Sequence, residues 1–180
     1  KSSDLCTLAL MSRKYKIQDQ SILYFVTFTV IQWLDVFIRK EYKDIFLNSI
    51  RYCQQNKGLE VYAYCIMSSH VHMIIGQSGS QKLEDIIRDI KKFTAVKIVE
   101  AIKSNSRESR RELFIWLFER AGKQNSNNKN FQFWQQHNHS IELNTNEMID
   151  QRLDYIHNNP VEAGIVMSPE EYLYSSAVNY

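Results

Sequence analysis

Residues 60–76, EVYAYCIMSSHVHMIIG, decide the fold. EVYAYCIM (60–67) is aromatic and β-branched enough to form a strand, Ser68-Ser69 makes a tight link, and HVHMIIG (70–76) forms a second strand. Two such runs joined by so short a polar link predict an antiparallel hairpin. Alternation along 70–76 puts His70 and His72 on one face, roughly 6.5–7 Å apart at Cα, and sends Val71 and Met73 to the other. Two imidazoles so placed can converge on one metal ion; they can equally be structural histidines with satisfied hydrogen bonds.

Outward from the hairpin, ILYFVTFTVI (22–31) is apolar throughout and predicts a central strand buried on both faces. A helix over 39–56 should follow it, stopping at Asn56-Lys57-Gly58. Leu83, Ile86, Ile87, Ile90, Ala95, Ile98 and Ile102 recur at helical spacing and predict a long amphipathic helix over 82–103. Residues 104–130 are polar at both ends around LFIWLF, with KQNSNNKN (123–130) the best candidate for a loop. A further strand and a last helix complete the chain. That helix should begin after Asn144, with Glu147 as capping-box partner, run to about Asn158 and stop near Pro160. The order β-α-β-β-α-β-α fits an α+β, ferredoxin-like sandwich: an antiparallel sheet with helices on one face, plus a C-terminal helix.

The chain has 180 residues, enough for one domain with one core. Residues 1–12 are expected to be an N-terminal extension outside a single domain over 13–180. Twenty-two basic and 20 acidic residues give +2, too small an excess to argue for nucleic acid by itself. Cys6, Cys53 and Cys65 form no CxxC pair, which fits a reducing, cytoplasmic setting. No uninterrupted apolar run suggests a membrane span. A rival histidine pair, His137 and His139, lies in a polar segment without strand periodicity and reads as solvent-exposed or hydrogen-bonding rather than as a second metal pair.

On the last helix, Ile149, Leu153 and Ile156 form one stripe. Tyr155 falls about 120° from its centre, and Asn159, one turn later, shares its flank. A surface tyrosine and an asparagine closing the helix would look the same.

HVHMII (70–75), IKKFT (90–94), FWQ (133–135), DYIHNNPVEAGIV (154–166) and YLYSS (172–176) occur in this order. The arrangement, spanning residues 13–177, resembles the single-tyrosine HUH transposases, in particular their REP-associated tyrosine transposase branch. The resemblance implies that Tyr155 is the catalytic nucleophile. It implies that His70 and His72 hold a divalent metal, Mg²⁺ or Mn²⁺, with Asn159 completing the site through its side-chain oxygen. It implies a DNA endonuclease and strand transferase, forming a 5′-phosphotyrosine intermediate on single-stranded, hairpin-bearing DNA. A homodimer, and a bacterial protein associated with the nucleoid when bound to DNA, also follow from it. The alternative is a domesticated relative that binds DNA or RNA hairpins without cutting. Ser104–Asn130 is longer than the family pattern needs, and the segment after Trp134 lacks the aromatic–acid–His run of relatives. Arg13, Lys14, Lys16, Arg88, Lys91 and Lys92 are candidate phosphate contacts, and Trp134 a candidate stacking ring.

Overall fold

A computed structural model describes residues 17, 19–125, 130–136 and 140–180. The chain runs β1 (Leu23–Thr29), α1 (Lys40–Lys57), β2 (Leu59–Ile66), β3 (His70–Gln77), α2 (Leu83–Ser104), α3 (Arg111–Lys123), β4 (Ile141–Leu143) and α4 (Asn146–Glu162), with short 3-10 turns between and after. The strands form one antiparallel sheet in the order β2-β3-β1-β4, the ferredoxin-like arrangement.

Alternation divides the sheet into two differently covered faces. Tyr24, Val26 and Phe28 of β1 and Val71, Met73 and Ile75 of β3 join the main core, with Tyr42, Phe46 and Ile50 of α1 and Ile86, Ile90 and Ile98 of α2. Phe25, Ala63, Cys65, Ile74 and Leu143 belong to a smaller cluster with Ile156 of α4. Two helices thus cover one face, and the tyrosine helix covers the other. Val71 and His72 are adjacent in sequence and lie on opposite faces for this reason.

The segment 104–130 holds more order than its composition suggests. Phe114 and Phe118, one helical turn apart on α3, are buried in the main core beside Phe133. Ahead of α3, the buried Glu108 carboxylate accepts from Arg39 Nε at 2.5 Å. At Gly122 a Cβ would lie 2.5 Å from the Phe131 backbone, so only glycine lets the chain pass there. Serine and asparagine dominate the flanks and hide the Phe114/Phe118 pair.

The last helix corrects the sequence reading at both ends. Its N-cap is Thr145, whose hydroxyl accepts from Met148 N–H, rather than Asn144. It runs through Pro160 to Glu162. Proline removes one hydrogen bond, but only a fraction of a turn remains beyond it. The chain then turns at Gly164 (φ 67°), whose N–H reaches Val161 O while Ile165 N–H reaches Pro160 O.

The tail returns along the otherwise open edge of β2. Ile66 N–H donates to Tyr174 O, and Ser176 N–H to Tyr64 O, each at 2.9 Å. Edge groups that would invite foreign strands are paired within the chain. Among the described residues no helix is long and apolar enough to cross a membrane. The expected extension 1–12, Arg13, Lys14, Lys16, His137 and His139 lie outside the described residues.

Candidate active site

His72 sits in mid-sheet, in register with Thr27 on β1 and Cys65 on β2. Its ring is sandwiched from several sides. Phe25 stacks on it at 5.4 Å and 22°, and Tyr155 meets it edge-on at 5.2 Å. Thr27 Oγ1 is 2.9 Å from Nδ1, which leaves Nε2 directed at the Tyr155 hydroxyl, 3.5 Å away. His70 lies next to it, ring centroids 4.6 Å apart, with its own Nδ1 3.1 Å from Ser69 Oγ. Each imidazole therefore has one nitrogen engaged by a hydroxyl, the arrangement that fixes ring orientation when the other nitrogen binds a metal.

Burial disfavours the charged form of both rings. It lowers the His70 pKa and brings His72 down to about 3, with His70 and the Arg152 charge adding to the effect. Both rings are consequently neutral near pH 7, the form that carries a metal-binding lone pair.

Tyr155 is 39% exposed and rests between His72 and Phe25. One turn on, Asn159 Nδ2 donates to Tyr155 O at 3.3 Å, so its amide oxygen is the end left to accept. Among the described residues no cluster of three or more His, Cys, Asp or Glu could hold a metal. A cation here would have two imidazole nitrogens and oxygen donors of other kinds.

The α2 candidates lie elsewhere, since their helix covers the face opposite the histidines. Arg88 pairs with Asp85 at 2.6 Å, and Lys91 Nζ donates to Gln135 O at 2.7 Å. Arg88, Lys91 and Lys92 line a groove of about 640 Å³ with residues 131–136. Trp134 is a correction to the sequence reading. It is 5% exposed, stacked on Phe37, and its Nε1 donates to Thr94 Oγ1, so its ring is consumed by the core and cannot take a base.

The sequence matches the family model described as transposase IS200-like over residues 20–119. The chain belongs to that family. The match includes His70 and His72 and ends before the helix of Tyr155. The fold of this IS200-like transposase is shared with a solved REP-associated tyrosine transposase bound to a REP hairpin: TM-score 0.65, 15% identity, 91% of this chain and 81% of that one. A candidate transposase from Deinococcus radiodurans R1 superposes more loosely, with TM-score 0.45, 16% identity, 79% of this chain and 97% of that one. No curated protein matches the sequence.

Three residues around the site of this transposase escaped the sequence reading. Thr27 holds His72, but the strand register that pairs them is invisible one strand at a time. Arg152 places its guanidinium 5.0 Å from the Phe25 ring and 6.0 Å from that of Tyr155. Its position three residues before Tyr155 was the available signal. Trp33 meets His70 edge-on at 5.2 Å.

Proposed function

We propose that this IS200-like transposase cleaves and rejoins single-stranded DNA through a covalent link to Tyr155, acting within one chain. The observation that carries the reading is the 3.5 Å approach of the Tyr155 hydroxyl to Nε2 of His72 on the same polypeptide. Strand and helix, 83 residues apart in sequence, bring a nucleophile to a pair of neutral imidazoles. The homodimer implied by the family resemblance is not needed to assemble the phenol and the histidines.

The Tyr155 oxygen attacks the scissile phosphorus as its proton leaves. The bond from phosphorus to the 3′-oxygen breaks, and that oxygen takes up a proton. The products are a 5′-phosphotyrosine and a free 3′-hydroxyl. The covalent link conserves the phosphodiester's energy, so a 3′-hydroxyl attacking it reverses the step without a nucleotide cofactor.

Neutral His70 and His72, with Asn159 Oδ1, suit a divalent cation, and phosphate oxygens in the remaining positions favour Mg²⁺ or Mn²⁺. When bound, such a cation polarises the phosphate and lowers the cost of charge on its oxygens. Arg152 adds fixed positive charge at the same place. A hairpin-bearing strand is the substrate form we assign, because the solved relative of this fold holds a REP hairpin.

The test is an adduct assay. Incubation with labelled hairpin-bearing single strands and Mn²⁺ should give a DNA-linked protein band that is stable in denaturing gels. Tyr155→Phe should abolish that band while leaving strand binding within about twofold, because the phenyl ring keeps the packing on Phe25 and His72. An undiminished adduct in the variant would remove Tyr155 from the mechanism. Absence of any adduct from the unmodified protein, with binding intact, would favour the non-cleaving alternative.

A further inference from the structure

Between β1 and α1 the backbone does something unusual. Gln32 and Trp33, neither of them glycine, both adopt left-handed conformations, with φ of 52° and 55°. A bulky aromatic rarely takes that region unless its surroundings impose it. The surroundings here do. Ile31 N–H is held by Phe133 O, Trp33 N–H by Val30 O, and Leu34 N–H by Ile31 O. Val30, Val36 and Phe37 on either side are fully buried. Two more bonds tie this turn to the one that launches the histidine strand, Val30 N–H to Ser69 O at 2.9 Å and Phe37 N–H to Ser68 O at 2.8 Å.

The outcome of this bracing is a large aromatic side chain left 59% exposed, edge-on to His70. The rings follow one another as neighbours: Trp33 against His70 at 5.2 Å, His70 against His72 at 4.6 Å, His72 against Tyr155 at 5.2 Å. The indole and the phenol stand at the two ends, with the imidazoles between. Burying Trp33 would have removed more apolar surface from water, so the exposure does not serve stability.

We infer that Trp33 is a stacking platform for the base of the nucleotide on the 5′ side of the scissile phosphate. The inference rests on the reading of Tyr155 as nucleophile. Attack at phosphorus displaces the oxygen opposite the incoming one, and that departing 3′-oxygen belongs to the 5′-side nucleotide. With the phenol at the His72 end, this nucleotide is directed toward the His70 end, where the indole lies. Every base has a π-face, so a tryptophan platform holds a single strand with little sequence preference and rejects a stacked duplex.

The experiment uses the full chain carrying Trp116→Phe, which removes the other exposed indole and leaves the buried Trp134 as an internal reference. A single-stranded oligothymidylate should quench the Trp33 emission, and the same strand annealed to oligoadenylate should not. In the same background, Trp33→Phe should bind the single strand nearly as well, while Trp33→Leu should bind about fivefold or more weakly. Unchanged emission on adding the strand, equal quenching by the duplex, or equal affinity of the Leu and Phe variants would each overturn the proposal. Because quenching is read without cleavage, a failed adduct assay with intact quenching counts against the Tyr155 chemistry alone. Intact adducts with no quenching count against Trp33 alone.

Discussion

Thr27 shows how much a single hydroxyl can decide. Its Oγ1 lies 2.9 Å from Nδ1 of His72. Valine at this position keeps shape and β-propensity but leaves Nδ1 without its partner, free to take either tautomer and a wider range of ring angles. Thr27→Val should weaken Mn²⁺ binding about 10- to 100-fold, as read by calorimetry or by paramagnetic relaxation of water. The change in unfolding free energy should stay near about 1 kcal/mol. Equal metal affinity in the variant would mean that Nδ1 of His72 needs no orienting group. The histidines were legible in the sequence because alternation along one strand is local. Thr27 was not, because its relevance depends on which residue of a different strand it faces, Thr27 against His72. Trp134 failed for the complementary reason: the sequence marks it as aromatic but cannot tell a ring packed on Phe37 from one offered to a base.

At the scale of elements, the position of α4 over the sheet depends on the tail as much as on its apolar stripe. Ile156 enters the smaller core, and the neighbouring His157 is buried beneath the Tyr180 ring. His157 Nε2 lies 2.9 Å from Ser176 Oγ, which also accepts from Tyr64 N–H at 2.9 Å. One hydroxyl thereby joins the tyrosine helix, the tail and the edge of β2. Ser176→Ala strands a buried imidazole nitrogen and a strand N–H together, at a cost of about 2 kcal/mol in urea unfolding. Adduct formation should fall further than the unfolded fraction accounts for, since the helix that carries Tyr155 loses an anchor. A loss of activity that merely tracks stability would show that the apolar contacts of Ile156 suffice to set the helix. The existence of α1, α2 and α4 and of β1, β2 and β3 could be read from periodicity, because each is a repeating pattern. The endpoints of α4 could not: capping by Thr145 instead of Asn144, and tolerance of Pro160, turn on one or two residues whose alternatives differ by about 1 kcal/mol.

For the whole molecule, the burial that keeps histidines neutral makes the fold sensitive to mild acid. His70, His72 and His157 all have pKa values below the ordinary 6.5, chiefly because burial disfavours their charged forms. The unfolded chain therefore binds protons before the folded one as pH falls. The stability that these groups contribute is fully present above about 6.5 and is lost as pH drops, in the case of His72 over the whole interval down to about 3. Other shifted groups act in different windows. Burial lowers Lys91 to about 8, so its change in stability falls between that value and the ordinary 10.5. Carboxylates such as Asp89 and Glu147, held below ordinary values of 3.8 and 4.5, begin to weaken the fold only in stronger acid. Between about pH 6.5 and 4.5, among the described residues with shifted values, His70, His72 and His157 supply the slope. Unfolding free energy of the metal-free protein, measured in urea at steps through that interval, should fall by more than about 1 kcal/mol per pH unit. A metal held by the neutral imidazoles of the folded state, as proposed, makes saturating Mn²⁺ move the fall to lower pH. A flat profile between pH 7 and 5 would mean that the histidines are hydrated enough to charge in place. In that case burial would not be what keeps the pair neutral, and metal binding would weaken as soon as the pH fell below about 6.5.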